Sequence, residues 1–436
     1  MELDILYSIF YTCFRKDINV FVVFKQMLSK MATTFTVDTS EEIVEKLQTI
    51  QTKKVVVNET NVEYLLLNYD TSMVCNDDNM RGMYNAVVIN SDTRKIMAIG
   101  PSKSNTLSKF KSLYGSVITN SNIINVHEMV EGLFFQLFWD ERIEKWEIST
   151  RNSIGGNYSY YRMPHVESLT YRKMICESMN LSKDQDINDW NKLQEFDKNY
   201  CYHFVVQHQG NHMVWNIQSC ALYIIGAFEM HFNNTDNQIR YVQPKELEPL
   251  FSDGSAFFPK KLEISHMMKY EDVLDKHVSI QEPSIRMGIV IQHLHTGDTT
   301  IAMNPAYEEL QKLRGTHPNI LFQYLCLKRI GKIEEFLQHF PQYKSMFYNF
   351  HSLFESVVIK LHQSYVDHFI QKKQEKIHKK YYYHIQQLHR NIYIPSLQEE
   401  NKVIIKKPVV RKYLEELEPG HILHILQYEI YGGADK

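Results

Sequence analysis

Glycine is scarce in this chain, 16 residues in 436, and those present form neither a Gly-rich phosphate loop nor a G-x-S-x-G elbow. P-loop nucleotide chemistry and α/β-hydrolase chemistry are thereby excluded. The six cysteines (Cys13, Cys75, Cys176, Cys201, Cys220, Cys326) are scattered, with no CxxC pair. That pattern argues against a disulfide framework or a zinc site and for a reducing compartment. No stretch approaches the ~18 unbroken apolar residues of a membrane-spanning helix. The nearest runs, Leu6 to Phe14 and Val20 to Phe24, are interrupted by Arg15, Lys16 and Asp17, and no small-residue cleavage site follows them. An excess of positive charge is missing too. Lys and Arg number 48 against 51 Asp and Glu, for a net charge of -3, so any nucleic-acid site must be a local patch.

Aromatic residues are plentiful (27 Tyr, 23 Phe) and 44% of the chain is hydrophobic, which suits buried, sheet-rich structure. The length predicts two domains with a short extra segment. Met31 followed by Ala-Thr-Thr looks like a second start, so residues 1–30 are read as an N-terminal extension. Residues 31–305 read as an α+β domain. A helical pattern at Glu41 to Leu47 precedes strands at Lys54 to Asn58, Tyr64 to Asn68 and Tyr84 to Ile89. Ser91-Asp-Thr is a hairpin turn with Lys95 to Ile99 as the return strand. A second hairpin spans 130–151. Tyr171 to Leu181 and Trp190 to Phe196 carry helical spacing, Ala221 to Ile225 reads as a buried strand, and a strand pair surrounds Thr296-Gly-Asp298. After Pro305 the pattern becomes helical through residues 306–436. Leu353 to Ile370 carries an apolar stripe one helix face wide, and Arg411 to Tyr428 is broken by Pro419-Gly420.

Five short segments recur in a recognisable order: Glu128-Met-Val-Glu-Gly132, Trp146-Glu-Ile-Ser-Thr-Arg151, Phe204 to Val214, Met287-Gly-Ile-Val-Ile291, and Ile301-Ala-Met-Asn-Pro-Ala-Tyr307. Arg81-Gly82 with Pro101-Ser-Lys103, and Leu313-Arg-Gly315 with Phe322 to Leu325, extend the set. In order and spacing they resemble the covalent nucleotidyltransferases, and most closely the ATP-dependent RNA ligases of the large-phage and large-DNA-virus type. The resemblance runs over roughly residues 40 to 430, weak at any one box and specific as an ordered set. It implies a ligase-like domain with antiparallel sheets followed by an all-helical C-terminal domain.

The resemblance also implies what is missing. The family's first box is Lys-x-Asp-Gly, and its lysine attacks the α-phosphate of ATP, which requires a neutral amine. Met129 stands there, and a thioether forms no phosphoramide. Glu131 keeps a carboxylate and Gly132 keeps the turn. Val205 stands where the third box has a carboxylate, and Asn211 remains where the family has Asn-Arg. Met287 replaces the metal-binding glutamate of the fourth box, although Mg²⁺ wants hard oxygen ligands. Ile301 and Met303 replace the paired lysines of the fifth box, where losing one electrostatic donor typically costs about 10²–10³ in rate. Met129, Glu131, Val205, Met287, Ile301 and Met303 are thus degenerate catalytic positions. Gly132, Arg151 and Asn211 are candidate remnants of the nucleotide pocket, with Arg151 open to a plainer reading as a surface strand-end residue. Lys145 is a candidate substitute nucleophile, against the plainer reading of a solvated strand residue. We expect Met129, Met287, Ile301 and Met303 to converge and fill the old pocket, with no catalytic residue, no metal and no cofactor; ATP and Mg²⁺ enter only if the chain is an active ligase with a displaced nucleophile.

Between Lys360 and Lys412 there are twelve Lys and Arg against four acids, a local excess of about eight positive charges, with Tyr381-Tyr-Tyr383 beside Lys379 and Lys380. Such a mixture can track a phosphate backbone and stack bases, although charge runs are usually solvated helix faces. Lys372, Lys373, Lys376, Lys379, Lys380 and Arg390 are the candidate nucleic-acid contacts. His293-x-His295 and His203, His208 and His212 lack accompanying Cys or carboxylate patterns and read as structural or surface histidines. The sequence therefore predicts an inactive RNA-ligase-like binding module for RNA ends or a viral or virion partner, in host cytoplasm or virion, with a purely structural virion component as a third reading.

Overall fold

The computed structural model describes residues 34–37, 50–57, 62–74, 79–119, 122–160, 169–233, 236–265, 267–278, 286–373, 379–398 and 402–431. The expected extension at 1–30 and the helix at 41–47 lie outside them. The chain divides into two compact units, with the change between Glu308 and Glu309 and with Tyr160 belonging to the second.

Every pairing between the named strands of the first unit is antiparallel. Six strands form the main sheet: β1 (Thr34–Thr36), β8 (Leu133–Asp140), β9 (Lys145–Ser149), β10 (Tyr200–Gln207), β11 (Ala221–Asn233) and β12 (Asp236–Val242), in the order β1-β12-β11-β10-β8-β9. A second sheet runs β2 (Ile50–Val57), β3 (Val62–Tyr69), β4 (Val87–Asn90), β5 (Ile96–Ala98). β6 (Val117–Ile118) pairs with β13 (Met268–Lys269). The third sheet holds β7 (Ile124–Glu128), β14 (Gly288–His293) and β15 (Thr299–Met303), in the order β15-β14-β7.

β8 shows why the main sheet forms where it does. Its Leu-Phe-Phe-Gln-Leu-Phe-Trp-Asp run is apolar at nearly every step because both faces are covered. Leu133, Phe135 and Leu137 enter one core with Ile175 and Phe204, while Phe138 enters another with Tyr64 and Val88. Each buried phenylalanine contributes about 1.5–3 kcal/mol. At the end of β8, Asp140 is fully buried and accepts the Tyr64 hydroxyl at 2.6 Å and Arg142 Nη2 at 2.8 Å. Burial opposes its charge, yet Arg142 and Tyr64 together hold its carboxyl below the ordinary value.

The third sheet packs one face, with Val126, Ile289 and Ile291, against helices Leu107–Tyr114 and Tyr270–His277 through Phe110, Tyr270 and Val273. Its other face is the one that matters for the site. The expected helix at Trp190 to Phe196 is a pair of short 3₁₀ turns instead, Ile187–Asp189 and Asn191–Glu195. Trp190 and Phe196 leave helical geometry to stack edge-on with each other at 5.5 Å and to join Phe204 and Phe251 in the main core.

Among the described residues the second unit is helical. Its core gathers Tyr324, Phe336, Phe347, Phe354 and Leu361 with Ile385, Leu414 and Ile425. The helix Lys344–Tyr365 carries the predicted stripe and runs into a π-helical turn, Val366–Ile370. The break at Pro419-Gly420 separates helices Lys407–Glu416 and Pro419–Tyr431.

Candidate functional site

Cross-strand partners share a sheet face, and faces alternate along each strand. In the third sheet, Val290 lies between His127 and Ile301, and Gln292 between Asn125 and Thr299. Two residues the other way, Gly288 pairs with Met303 and its carbonyl accepts the Met129 N–H at 2.9 Å. Met129, Gly288 and Met303 therefore form one row, Ile301 belongs to the next row on the same face, and Met287 precedes the strand, its carbonyl accepting the Asn304 N–H at 3.0 Å. All four singled-out apolar positions gather around Gly288, three of them on one face. Ile301 is exposed, and Met129, Met287 and Met303 are half-buried.

The two retained glycines have a packing reason. A Cβ on Gly288 would stand 2.3 Å from the Ala302 carbonyl oxygen, and one on Gly132 would stand 2.3 Å from that of Val206. In both cases the atom met is a backbone carbonyl oxygen, which cannot swing aside as a flexible side chain can.

Glu131 is buried and saturated. It accepts the backbone N–H groups of Met213, Val214 (3.0 Å) and Trp215 (3.2 Å), and the Tyr307 hydroxyl at 2.7 Å. This carboxylate closes the 213–215 loop and the segment after β15 onto the β7–β8 turn, and it presents no oxygen outward. Tyr307, Met213 and Val214 lie inside the quoted segments, but nothing in the sequence joins them to Glu131, because backbone donors have no side-chain signature and the pairings span 82 to 176 residues.

The other positions are structural in their surroundings. Val205 is buried on β10 between Phe134 and Tyr223. Asn211 closes a turn through its N–H to the His208 carbonyl at 3.0 Å. Arg151 is half-buried, with Nη1 donating to Asn85 Oδ1 at 3.1 Å and Nη2 to the Tyr69 carbonyl at 3.0 Å, and its guanidinium lies over the Tyr69 ring. It is a tether to the second sheet and not a loose strand-end arginine. Lys145 opposes Asp140, seven residues up β8 from Leu133. At about 3.3 Å per residue that is roughly 23 Å along the strand from the Met129 end, so it cannot stand in for the missing nucleophile. Among the described residues Lys261 does come close on this face, bridging to His127 one strand away. It sits in a loop outside every motif.

Of the histidines, His203 is buried and its Nε2 donates to the Ile99 carbonyl at 2.7 Å, and burial lowers its pKa to about 4. His293 stacks on Tyr114 at 4.1 Å. Glu177, His208 and Cys220 bring their ligating atoms within 4.8 Å of one another. The Gly210 N–H donates to His208 Nδ1 at 2.9 Å, which leaves the proton on Nε2, aimed at Glu177 Oε2 at 2.9 Å. In that tautomer the trio is a hydrogen-bonded pair beside a thiol, with no imidazole lone pair for a metal.

In the second unit Lys372, Lys373 and Arg390 are exposed, as are Tyr382 and Tyr383, while Lys380 is half-buried. Lys373 pairs with Asp367 at 2.9 Å and Arg411 with Glu355. Lys376 and the Lys379 side chain lie outside the described residues. Phe369 stacks on His389 at 3.8 Å and His368 meets Tyr382 at 5.8 Å, which brings the two π-helical turns, Val366–Ile370 and His389–Tyr393, together with Lys372 and Arg390 at their ends.

No protein-family model matches this chain, and no curated protein matches it. Among solved structures, the chain is similar to an RNA ligase of Naegleria gruberi with ATP and Mn, at 13% identity and a TM-score of 0.33, over 48% of this chain and 56% of that one. A second form of that ligase matches at 11% identity and a TM-score of 0.36, over 64% of this chain and 84% of that one. An archaeal ATP-dependent RNA ligase matches at 10% identity and a TM-score of 0.40, over 66% and 65%. The chain thus spans little more than half the length of the first of these ligases.

Proposed function

We propose that this protein is an RNA-ligase-like module that has lost nucleotidyl transfer and binds nucleic-acid ends. The row Met129–Gly288–Met303, with Ile301 beside it, carries the reading. In the resembled family these side-chain positions supply the nucleophile and the phosphate-neutralising lysines, and here they are apolar around a backbone that still needs its glycines. The carboxylate kept in the first box, Glu131, is consumed by four internal donors. The basic and aromatic surface near Lys372, Arg390, Tyr382 and Tyr383 supports single-stranded nucleic acid as the partner.

The test is incubation with α-labelled ATP and Mg²⁺, then denaturing electrophoresis, for wild type, Met129→Lys and Lys261→Ala. The wild type is expected to stay unlabelled. Label that survives denaturation on the wild type and disappears in Lys261→Ala would establish the rival reading, a working ligase whose nucleophile has moved to Lys261. That rival rests on one observation, the placement of Lys261 opposite His127 on the same face.

A further inference from the structure

Two π-helical turns occur among the described residues, Val366–Ile370 and His389–Tyr393, and they lie against each other. Such turns are rare and concentrate at functional sites. Here they bring five rings into contact in series. Tyr382 meets His368 at 5.8 Å, His368 meets Phe369 at 4.6 Å, Phe369 meets His389 at 3.8 Å, and His389 meets Tyr393 at 5.1 Å. Tyr382 is exposed and the other four are half-buried. Two of the five are imidazoles, the side chain whose charge changes between about pH 5 and 8. Lys372 and Arg390 are exposed cations beside them.

His389 is held so that it can change charge without moving. Its ring lies flat on Phe369, with 7° between the planes, and its Nδ1 is 3.1 Å from the Tyr365 hydroxyl. An imidazolium is attracted to an aromatic face, so the stack that holds the neutral ring also holds the charged one. The phenol oxygen can accept from Nδ1–H in the charged form. Burial, with His368 and Arg390 nearby, lowers the His389 pKa, so the ring is neutral at pH 7. The groups packed around it do not offset a gained proton. Asp367 is the carboxylate of the two turns. Lys373 pairs with it at 2.9 Å and holds its carboxyl below the ordinary value, so it stays ionised and paired on acidification. Burial pushes the Tyr365 phenol up to about 12 and lowers His384, on the helix Lys379–Leu388, to about 4. Lys380 of that helix brings a further cation. Acidification from pH 7.5 to 5.5 therefore adds positive charge here through His368 and His389.

We propose that this surface takes up protons as it binds a single strand, with His389 and His368 acting as cations that acid switches on beside Lys372 and Arg390. The inference rests on the reading of this surface as a nucleic-acid site and names the regulation of that site. A phosphate near either imidazole favours its charged form, and by linkage each proton taken up tightens binding as the pH falls.

The experiment is fluorescence anisotropy of the full chain with a labelled oligouridylate that lacks terminal phosphates, at pH 7.5 and 5.5 and at several salt concentrations. Uracil keeps a constant charge between these pH values, so a change in affinity belongs to the protein. Calorimetry at pH 6 in two buffers of different ionisation enthalpy counts the protons taken up. The wild type is expected to bind about tenfold tighter at pH 5.5, because one pKa unit gained by one histidine is a tenfold gain in affinity. Its salt slope should steepen by about 0.7, and about one proton should be taken up. His368→Gln/His389→Phe, which keeps a ring against Phe369, should bind with one affinity at both pH values and take up no proton. Each single substitution should remove part of the effect, so the test stands even if the double variant unfolds. The proposal is overturned if the wild type binds equally at the two pH values, or if the folded variants keep the whole effect. No binding at either pH would overturn the nucleic-acid reading itself and this inference with it, which tells the two failures apart.

Discussion

The Tyr307 hydroxyl donates to Glu131 Oε2 at 2.7 Å, joining two segments 176 residues apart in the chain. With the 213–215 amides on the same carboxylate, this contact fixes the β7–β8 turn on which Met129 stands. Removing the carboxylate takes the acceptor from three part-buried N–H groups and a buried hydroxyl. Glu131→Ala should therefore cost about 3 kcal/mol or more, against about 1 kcal/mol for Tyr307→Phe, which leaves the carboxylate its other donors. Urea unfolding of the two variants measures both losses. A Glu131→Ala protein within about 0.5 kcal/mol of wild type would show that the carboxylate does not hold the turn.

The glycines beside it should be equally intolerant, for a steric reason. Gly288→Ala and Gly132→Ala each push a Cβ to 2.3 Å from a backbone oxygen, and the main chain must shift to relieve it. A loss of about 1–3 kcal/mol is expected for each. Gly420 is the control: a Cβ there meets nothing within 4 Å, and it lies in the helix Pro419–Tyr431. Gly420→Ala should be neutral or stabilising by up to about 1 kcal/mol. Thermal melts of the three variants compare the effects directly.

The sheet-rich first unit and helical second unit were legible because alternation and helical spacing are local signals. β8 and β9, the Ser91-Asp-Thr turn and the Lys344–Tyr365 stripe all announce themselves within ten or twenty residues. β7 did not: Ile-Asn-Val-His-Glu is half polar because its outer face lines a cavity. Helices Leu107–Tyr114 and Tyr270–His277 were missed too, each being only 8 residues long. Within the site, the chemistry absent from positions 129, 287, 301 and 303 could be read from residue types in order. That these positions surround Gly288, that Lys145 is remote and that Lys261 is near depend on strand register, which no local pattern encodes. Arg151 was ambiguous for the same reason, since its partners are Tyr69 at the end of β3 and Asn85 just before β4.

His203 makes the stability of the first unit depend on pH. Burial between Phe134 and Phe228 lowers its pKa from the ordinary 6.5 to about 4. The unfolded chain takes up the proton first as pH falls, so stability rises with pH between about 4 and 6.5. The contribution is fully present above 6.5 and is lost on acidification through that window. It amounts to roughly 3 kcal/mol for this residue. Chemical denaturation at pH 7, 5.5 and 4.5, with a His203→Gln variant alongside, tests it. The variant should be less stable at pH 7 but show a flatter pH dependence over that range, and an unchanged slope would place the effect elsewhere.

On the second unit, Lys372 and Arg390 are exposed at the ends of the two π-helical turns, and neither has an ion-pair partner among the described residues. If they neutralise phosphates of a single strand, each releases a counterion, worth about 0.7 in the slope of log affinity against log salt. The double variant Lys372→Ala/Arg390→Ala should then lower that slope by about 1.4 and weaken all RNA sequences alike. Tyr382 and Tyr383 act differently, because a stacked base contributes about 1–3 kcal/mol whatever the salt. Tyr382→Ala/Tyr383→Ala should lower affinity tenfold or more with the slope unchanged. Fluorescence anisotropy with a labelled oligoribonucleotide at several salt concentrations separates the two effects. If both variants bind with wild-type affinity and slope, the positive stretch is a solvated helical surface, and the nucleic-acid partner has to be sought on the first unit.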